Sequence, residues 1–294
     1  MSKKNGASTS YKVFSWVILI LLALFFLFPL YWIITGALKT PAAINAAKPQ
    51  WWPSEFTLRN FQVLFSKRSA PLFQFGSVVG PTVPGAIRWL LNTVFMAVMA
   101  MILTCITAAM AGYALAKKRF IGRAFLFSLI VAAMALPKQV ILIPLIREMS
   151  KLHLYDTIWS VIFPTVGWPF GVFLMKQFSE GIPGEMLEAA RIDGASEWKT
   201  FTTIVYPMVK PGIGALAIFT FINSWNDYFL QLIMLASNVN YTISLGIATM
   251  QAENSTDYGL IMAGATLAAI PIIIVFVIFQ KYFTKGITMG AVKG

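Results

Sequence analysis

The sequence is poor in charge and nearly lacks the side chains that build catalytic and metal centres. Only 12% of its 294 residues are charged, about half the usual share in a soluble domain. One cysteine, Cys105, and one histidine, His153, exclude an internal disulfide and a metal site made of these two residue types. The sequence contains no glycine-rich loop ending in Gly-Lys-Ser or Gly-Lys-Thr. We therefore expect a non-enzymatic chain with no ATP site, cofactor or metal.

Apolar sequence is abundant and falls in long runs with little charge. Hydrophobic residues make up 58% of the chain, and about 20 consecutive apolar residues suffice to span a bilayer as a helix. The spans must be helical because lipid cannot satisfy bare backbone groups. The sequence predicts an all-α polytopic membrane protein. Six transmembrane helices are expected at residues 13–38, 89–116, 124–146, 157–175, 212–236 and 258–280.

The distribution of lysine and arginine predicts the orientation in the membrane. If both termini are cytoplasmic, 14 of the 23 Lys and Arg residues lie on the cytoplasmic side and 9 on the other. The basic cluster of Lys117, Lys118 and Arg119 then lies inside, as the positive-inside rule requires. The net charge of +12 is explained in this way, so we expect contact with membrane lipid and no nucleic-acid binding.

These assignments divide the chain into consecutive segments. Residues 1–12 are expected to be a cytoplasmic N-terminus, 13–38 the first transmembrane helix and 39–87 an external loop. Residues 88–284 would form the transmembrane core and include a long cytoplasmic loop at 183–211, and 285–294 would be a cytoplasmic tail. The cytoplasmic loop is longer than a connection needs, which indicates a structured element.

The long cytoplasmic loop has the pattern of two short helices around a turn. Pro183 opens the first helix, and Asp193-Gly194 ends it because glycine tolerates a left-handed conformation. Ser196 is expected to cap the second helix, and Pro207 and Pro211 to separate it from the fifth span. By physics alone, the first helix either docks in a groove of a partner protein or rests on the lipid headgroups.

The spacing of this loop resembles the EAA loop of ABC importer permeases. The matching residues are Glu188, Ala189, Ala190, Gly194, Ile204 and Pro207, and the chain has Tyr206 where the family usually has leucine. The resemblance implies that these residues, with Asp193, dock in a cleft of a cytoplasmic ATPase. It also implies the ABC importer permease (MetI-like) fold in a bacterial cytoplasmic (inner) membrane.

Two further segments resemble the second permease subunit of maltose-type carbohydrate importers. They are residues 221–230, Phe-Ile-Asn-Ser-Trp-Asn-Asp-Tyr-Phe-Leu, and the C-terminal residues 280–294. The resemblance implies a heterodimer with a second permease subunit, two copies of an ABC ATPase and an extracytoplasmic sugar-binding protein. It also implies a contact between the C-terminal tail and the ATPase, for which Gly290, Lys293 and Gly294 are the candidates.

Polar residues within the fifth predicted span are candidates for a substrate path. Planar amides, carboxylates and aromatic faces bind sugars, and this span supplies Asn223, Trp225, Asn226, Asp227 and Tyr228. The alternative is hydrogen bonding between helices that stabilises the subunit pair. Lys138 and Gln139 follow Pro137, and we expect them at a kinked, water-facing position.

Two other functions remain possible from the residues alone. A secondary transporter without an ATPase partner would show internal repeats and buried charges for ion coupling, but the sequence shows no clear repeat. A membrane-embedded enzyme is disfavoured because acid–base side chains are scarce. The leading prediction is a permease subunit of an ATP-driven sugar importer, which the EAA-like spacing supports.

Overall fold

The chain is almost entirely helical, with two small β-hairpins before its second long helix. The computed structural model describes residues 9–75, 77–253 and 257–291. The helices are α1 (Thr9–Ala37), α2 (Pro41–Ile44), α3 (Arg59–Ser66), α4 (Gly85–Lys117), α5 (Arg123–Ala133), α6 (Lys138–Lys151), α7 (Trp159–Val166), α8 (Pro169–Glu180), α9 (Gly184–Ile192), α10 (Glu197–Thr200), α11 (Tyr206–Asn226), α12 (Tyr228–Met234), α13 (Ile243–Glu253) and α14 (Tyr258–Ala291). The predicted helical fold class is confirmed.

The hairpins and two irregular turns complete the element order. Strand β1 (Ser69–Pro71) pairs with β4 (Thr82–Pro84), and β2 (Gln74–Phe75) pairs with β3 (Val78–Val79), both antiparallel. A π-helical turn occupies Phe201–Val205, and a 3-10 turn occupies Asn238–Asn240. The sequence did not predict the hairpins, because strands of two or three residues are too short to show an alternating pattern.

Within the described residues, four helices are long and apolar enough to cross a membrane. By length and composition these are Ser10–Ala37, Gly85–Lys117, Glu197–Asn226 and Tyr258–Gln280. They correspond to the predicted first, second, fifth and sixth spans. The predicted third span is a pair, α5 and α6, bent by 105° at the break before Pro137 and counted as a fifth span if the pair is taken together.

The predicted fourth span, residues 157–175, is not one helix. The helix α7 ends at Val166, and α8 begins at Pro169. Trp168 between them has an extended backbone, with φ −61° and ψ 113°, because a residue that precedes proline is pushed out of the helical region. The two pieces have 8 and 12 residues, so neither is long enough to span alone.

The predicted bounds of the fifth span, residues 212–236, are also corrected. The helix begins earlier, since α10, the π-turn and α11 are continuous, and it ends at Asn226. Asp227, with φ −77° and ψ 62°, breaks it, and its Oδ1 accepts a hydrogen bond from the backbone N of Leu230 at 3.3 Å. Asp227 therefore caps the new helix α12 instead of lying inside a continuous span.

The structure divides into two units. One comprises Met1–Arg68 with Ile247–Ala269. In this unit the buried amide of Asn60 donates hydrogen bonds to the carbonyl oxygens of Ala37 and Lys39, both at 2.9 Å, and so ties α3 to the end of α1. Most apolar side chains of α1 are exposed, and Phe25 and Phe26 reach 72% exposure, as expected of a helix solvated by lipid.

The second unit comprises Ser69–Gly246 with Ile270–Gly294, and α4 is its central helix. Helices α8 and α11 pack against α4 at positions occupied by small residues such as Ala108 and Ala109. A Cβ atom added to Gly112 would lie 2.6 Å from backbone atoms of Met175 and Lys176. Small residues let helix backbones approach this closely in membranes, so the packing fixes α8 and the helices that follow it.

Candidate functional site

The EAA-like segment folds as the predicted pair of helices around a turn. At the end of α9 the backbone N of Ala195 donates to the Ala190 oxygen at 2.9 Å, and that of Gly194 donates to the Arg191 oxygen at 3.1 Å. Gly194 has φ +72°, which completes the Schellman arrangement. Ser196 Oγ accepts a hydrogen bond from the Lys199 N at 3.3 Å, so the predicted cap of α10 is confirmed.

The expected separation of this unit from the fifth span is wrong. Pro207 and Pro211 lie inside a helix that continues from α10 into α11. Proline removes one backbone donor and its ring clashes with the carbonyl four residues earlier. The π-helical turn just before Pro207 shifts the hydrogen-bond ladder by one residue, which accommodates the ring. The segment after the turn at Gly194 therefore continues into α11, as part of a helix that is long and apolar enough to cross a membrane.

The residues of the Glu-Ala-Ala triplet point in different directions. Glu188 and Ala189 are exposed, whereas Ala190 is buried against the chain itself, with 7% exposure. Ile192 is 86% exposed and Trp198 is 63% exposed. The free face of α9 and α10 thus combines a carboxylate, a small side chain and two large apolar side chains. Ala190 is small because α9 packs closely on its own subunit, which differs from the role that the family resemblance implied.

Two lysines at the end of α4 hold both sides of the EAA-like segment. Lys117 Nζ donates hydrogen bonds to the carbonyl oxygens of Glu180 at 3.0 Å and Ile182 at 2.6 Å, just before α9. Lys118 forms an ion pair with Glu197, at the start of α10. Partial burial acts to lower the pKa of Lys118, but its hydrogen bonds to Glu197 and Tyr113 outweigh this and raise the pKa. The segment is thereby fixed to α4 on both sides.

A second polar site lies where three helices are broken. Lys138 Nζ, at the start of α6, lies 3.0 Å from Asp227 Oδ2 and 3.4 Å from Asn223 Oδ1. These groups line a cavity of about 510 Å³, together with Trp168 and Phe170 from the break between α7 and α8. A charged side chain costs about 2.5–3.5 kcal/mol at the centre of a membrane helix, which explains why the lysine and the carboxylate lie together.

The structure brings only some of the predicted path residues together. Asn223 and Asp227 line the 510 Å³ cavity, and Asn226 lines a neighbouring cavity of about 410 Å³. Trp225 is 2% exposed and stacks on Phe221 with ring centroids 5.4 Å apart, so its aromatic face belongs to the core. Tyr228 is half-exposed and lines neither cavity. Of the residues predicted for the path, Asn223, Asn226 and Asp227 therefore lie at a cavity, and the two aromatic residues do not.

The cavity residues that sequence reasoning missed include Trp168, Phe170 and Ser224. The Gly-Trp-Pro sequence at 167–169 signals a helix break, and that signal places the Trp168 side chain at the cavity. No sequence signal identifies Ser224, whose position on the cavity wall depends on where α11 ends. Lys138 and Gln139 both line the cavity, at the kinked position that was predicted.

The C-terminal residues are described only in part. Helix α14 continues through Gly290 to Ala291, so the part of the predicted tail from residue 285 to Ala291 is helical. Lys293 and Gly294 lie outside the described residues, and their expected contact with the ATPase stays a prediction.

Long apolar helices, with shorter helices broken around a mainly apolar cavity that contains one ion pair, are typical of membrane transport proteins. Residues 106–289 match the family described as binding-protein-dependent transport system inner membrane component, and the chain belongs to that family. The family predicted from the EAA-like spacing is thus confirmed.

Curated relatives cover nearly the whole chain. The arabinooligosaccharides transport system permease protein AraQ of Halalkalibacterium halodurans is 33% identical over 96% of this chain and 98% of its own. The protein of the same name in Bacillus subtilis is 31% identical over 100% of both chains. The lactose transport system permease protein LacG of Rhizobium radiobacter is 29% identical over 94% of each.

A solved structure shares the fold. The crystal structure of a bacterial ABC transporter involved in the import of the acidic polysaccharide alginate superposes with a TM-score of 0.74, over 95% of this chain and 100% of that one. The sequence identity is 22%, so this likeness shows the fold alone.

Proposed function

We propose that the chain is one permease subunit of an ATP-driven, binding-protein-dependent importer and forms half of the translocation path for a sugar or oligosaccharide. The observation that carries this proposal is the free face of α9 and α10, whose shape and chemistry suit a groove in a cytoplasmic ATPase. The chain itself catalyses no reaction in this scheme, and ATP hydrolysis belongs to the ATPase subunits.

The substrate class and the partners rest on the relatives. Two of the similar permeases are named for the transport of arabinooligosaccharides, and a third for lactose. All three are described as transport system permease proteins, which supports a complex with a second permease subunit, two ATPase copies and an extracytoplasmic sugar-binding protein. The inner membrane of a bacterium is the matching location.

The proposed orientation places both termini and the EAA-like loop at 183–211 in the cytoplasm. Residues 39–87, which contain the two hairpins, then form the external loop. The first span is 13–38, and the other spans lie within the core at 88–284. Lys117 and Lys118, which hold the EAA-like loop, are part of the basic cluster that the positive-inside rule assigns to the cytoplasm.

An Ala189→Trp variant tests the coupling role directly. Ala189 is exposed on α9, so a tryptophan there leaves the subunit's own packing intact and holds the helix away from a partner groove. We expect normal membrane insertion and pairing with the second permease, but loss of co-purifying ATPase and of sugar uptake. Ala47→Trp, at an exposed alanine of the proposed external loop, is the matched control and should retain both.

Two outcomes contradict the proposed function. One is a full complement of ATPase and normal uptake in Ala189→Trp. The other is uptake by the unaltered protein that survives ATP depletion but stops when the ion gradient is collapsed, which would indicate a secondary transporter.

A further inference from the structure

The ion pair of Lys138 and Asp227 lines two neighbouring cavities. Both side chains, with Asn223, line the cavity of about 510 Å³ and also the neighbouring one of about 410 Å³. The larger cavity lies within the roughly 300–1,000 Å³ range of small-molecule sites.

The walls of the larger cavity combine aromatic and hydrogen-bonding groups. The rings of Trp168 and Phe170 lie there with centroids 4.9 Å apart. The hydrogen-bonding groups are the amide of Asn223, the carboxylate of Asp227 and the ammonium group of Lys138. Aromatic faces beside a few polar groups are the lining expected of a small-molecule site.

The two cavities carry no net charge. Lys138 and Asp227 are the only ionisable side chains among the residues described as lining them, and they neutralise each other at 3.0 Å. An anionic ligand would draw Lys138 away and leave the Asp227 carboxylate, whose side chain is only 17% exposed, without its neighbouring cation. Hydroxyl groups both donate and accept hydrogen bonds, so they can bridge the lysine and the carboxylate and leave neither charge alone.

We propose that these cavities form a subsite for an uncharged sugar ring, in which the sugar stacks on Trp168 and its hydroxyls engage Lys138 and Asp227. The inference rests on the proposed importer function and adds to it a direct contact between this subunit and its cargo. Asp227 and Lys138 then exclude anionic sugars from the path.

Saturation-transfer NMR on the complete complex of both permeases and the ATPase, in nanodiscs and without the binding protein, tests this subsite. The probes are arabinotriose, which is uncharged, and trigalacturonate, which carries three carboxylates. Asp227→Asn removes the negative charge with little change of shape, and Trp168→Ala removes the stacking face. Lys151→Gln is the matched control, because it breaks an exposed pair with Glu148, 2.7 Å apart, at the other end of the same helix.

We expect the unaltered complex to bind arabinotriose about tenfold better than trigalacturonate. Asp227→Asn should reduce or reverse this preference, since Lys138 becomes unpaired, and Trp168→Ala should abolish arabinotriose binding. Lys151→Gln should change nothing. The subsite is refuted by equal binding of the two probes, by absent arabinotriose binding, or by an unchanged preference in Asp227→Asn.

Each variant is first assayed for co-purifying ATPase and for ATP hydrolysis. A complex that assembles and hydrolyses ATP but fails the sugar test refutes the subsite and leaves the importer function standing. A chain that never associates with an ATPase refutes the importer function itself.

Discussion

At the scale of single residues, two glycines show the same backbone demand in different places. Gly194, in the turn after α9, has φ +72°, and Gly122, just before α5, has φ +85°. A Cβ atom added at either position would meet no atom within 4 Å. Any effect of a side chain there on the chain itself therefore arises from the left-handed backbone, which non-glycine residues adopt at a cost of about 1 kcal/mol.

The similar backbone conformations of Gly194 and Gly122 yield a prediction for the coupling of this subunit to the proposed ATPase. Gly194→Ala and Gly122→Ala should lower the thermal stability of the purified protein by similar amounts, because the strain is the same. Gly194→Ala alone should reduce the stimulation of ATPase activity by the loaded binding protein, because the strain is relieved by rotating α9 away from α10. Equal loss of stimulation in the two variants would contradict a coupling role for the Gly194 turn.

Single residues also show which features of the structure can be predicted from the sequence. The cap at Ser196 and the turn at Gly194 follow from local rules, because each depends on a residue's own backbone preference. The burial of Ala190 and of Trp225 depends on which face of a helix meets the rest of the chain. That information is absent from a short motif, so the triplet's inward-facing alanine could not be foreseen.

At the scale of elements, the sequence predicts where apolar helices lie better than where they break. The long helices α1, α4 and α14 each contain one of the predicted charge-free runs and extend beyond it. The breaks at 134–137, 167–168 and 227 were missed or only partly expected, although prolines at 137 and 169 adjoin two of them. Proline breaks some helices and is absorbed in others, as the π-turn before Pro207 shows, and hydropathy does not distinguish the two.

The packing of α4 against α8 yields a prediction for stability. Gly112→Val would place side-chain atoms where even a Cβ atom meets backbone at 2.6 Å, and overpacking of this kind costs about 1–3 kcal/mol. We expect a lower unfolding temperature of the detergent-solubilised complex, measured by differential scanning fluorimetry. Gly184→Ala, where an added Cβ meets nothing within 4 Å, should leave it unchanged, and equal stability of the two variants would refute the close approach.

The EAA-like segment is connected through α11 to the cavity that contains Lys138 and Asp227. The EAA-like segment is held by Lys117 and Lys118 on α4, and it continues through the π-turn into α11. The far end of α11 carries Asn223 and stops at Asp227, which pairs with Lys138. In the proposed importer, an ATPase that displaces α9 would act on a helix whose other end forms one side of the ion pair, and this would link ATP binding to the state of the cavity.

At the scale of the whole molecule, scarcity of charge makes the placement of each cation informative. The lysines and arginines of the predicted cytoplasmic side outnumber those of the other side by 14 to 9, a moderate bias that still selects one orientation. Many of these cations also serve a local contact, as Lys117 and Lys118 do. The proposed orientation therefore assigns to the cytoplasm the same lysines that hold the EAA-like segment, and this orientation can be tested separately from function.

The orientation is tested by cysteine labelling in intact cells. The single native cysteine, Cys105, is buried with 8% exposure, so it should give little background with a membrane-impermeant maleimide. Ser54→Cys lies at an exposed position of the proposed external loop, and Ile121→Cys lies at a fully exposed position beside the basic cluster. We expect Ser54→Cys to react in intact cells and Ile121→Cys only after permeabilisation, because reagent reaches the cytoplasmic side only then. Reaction of Ile121→Cys in intact cells would reverse the proposed topology, and with it the placement of α9 beside a cytoplasmic ATPase.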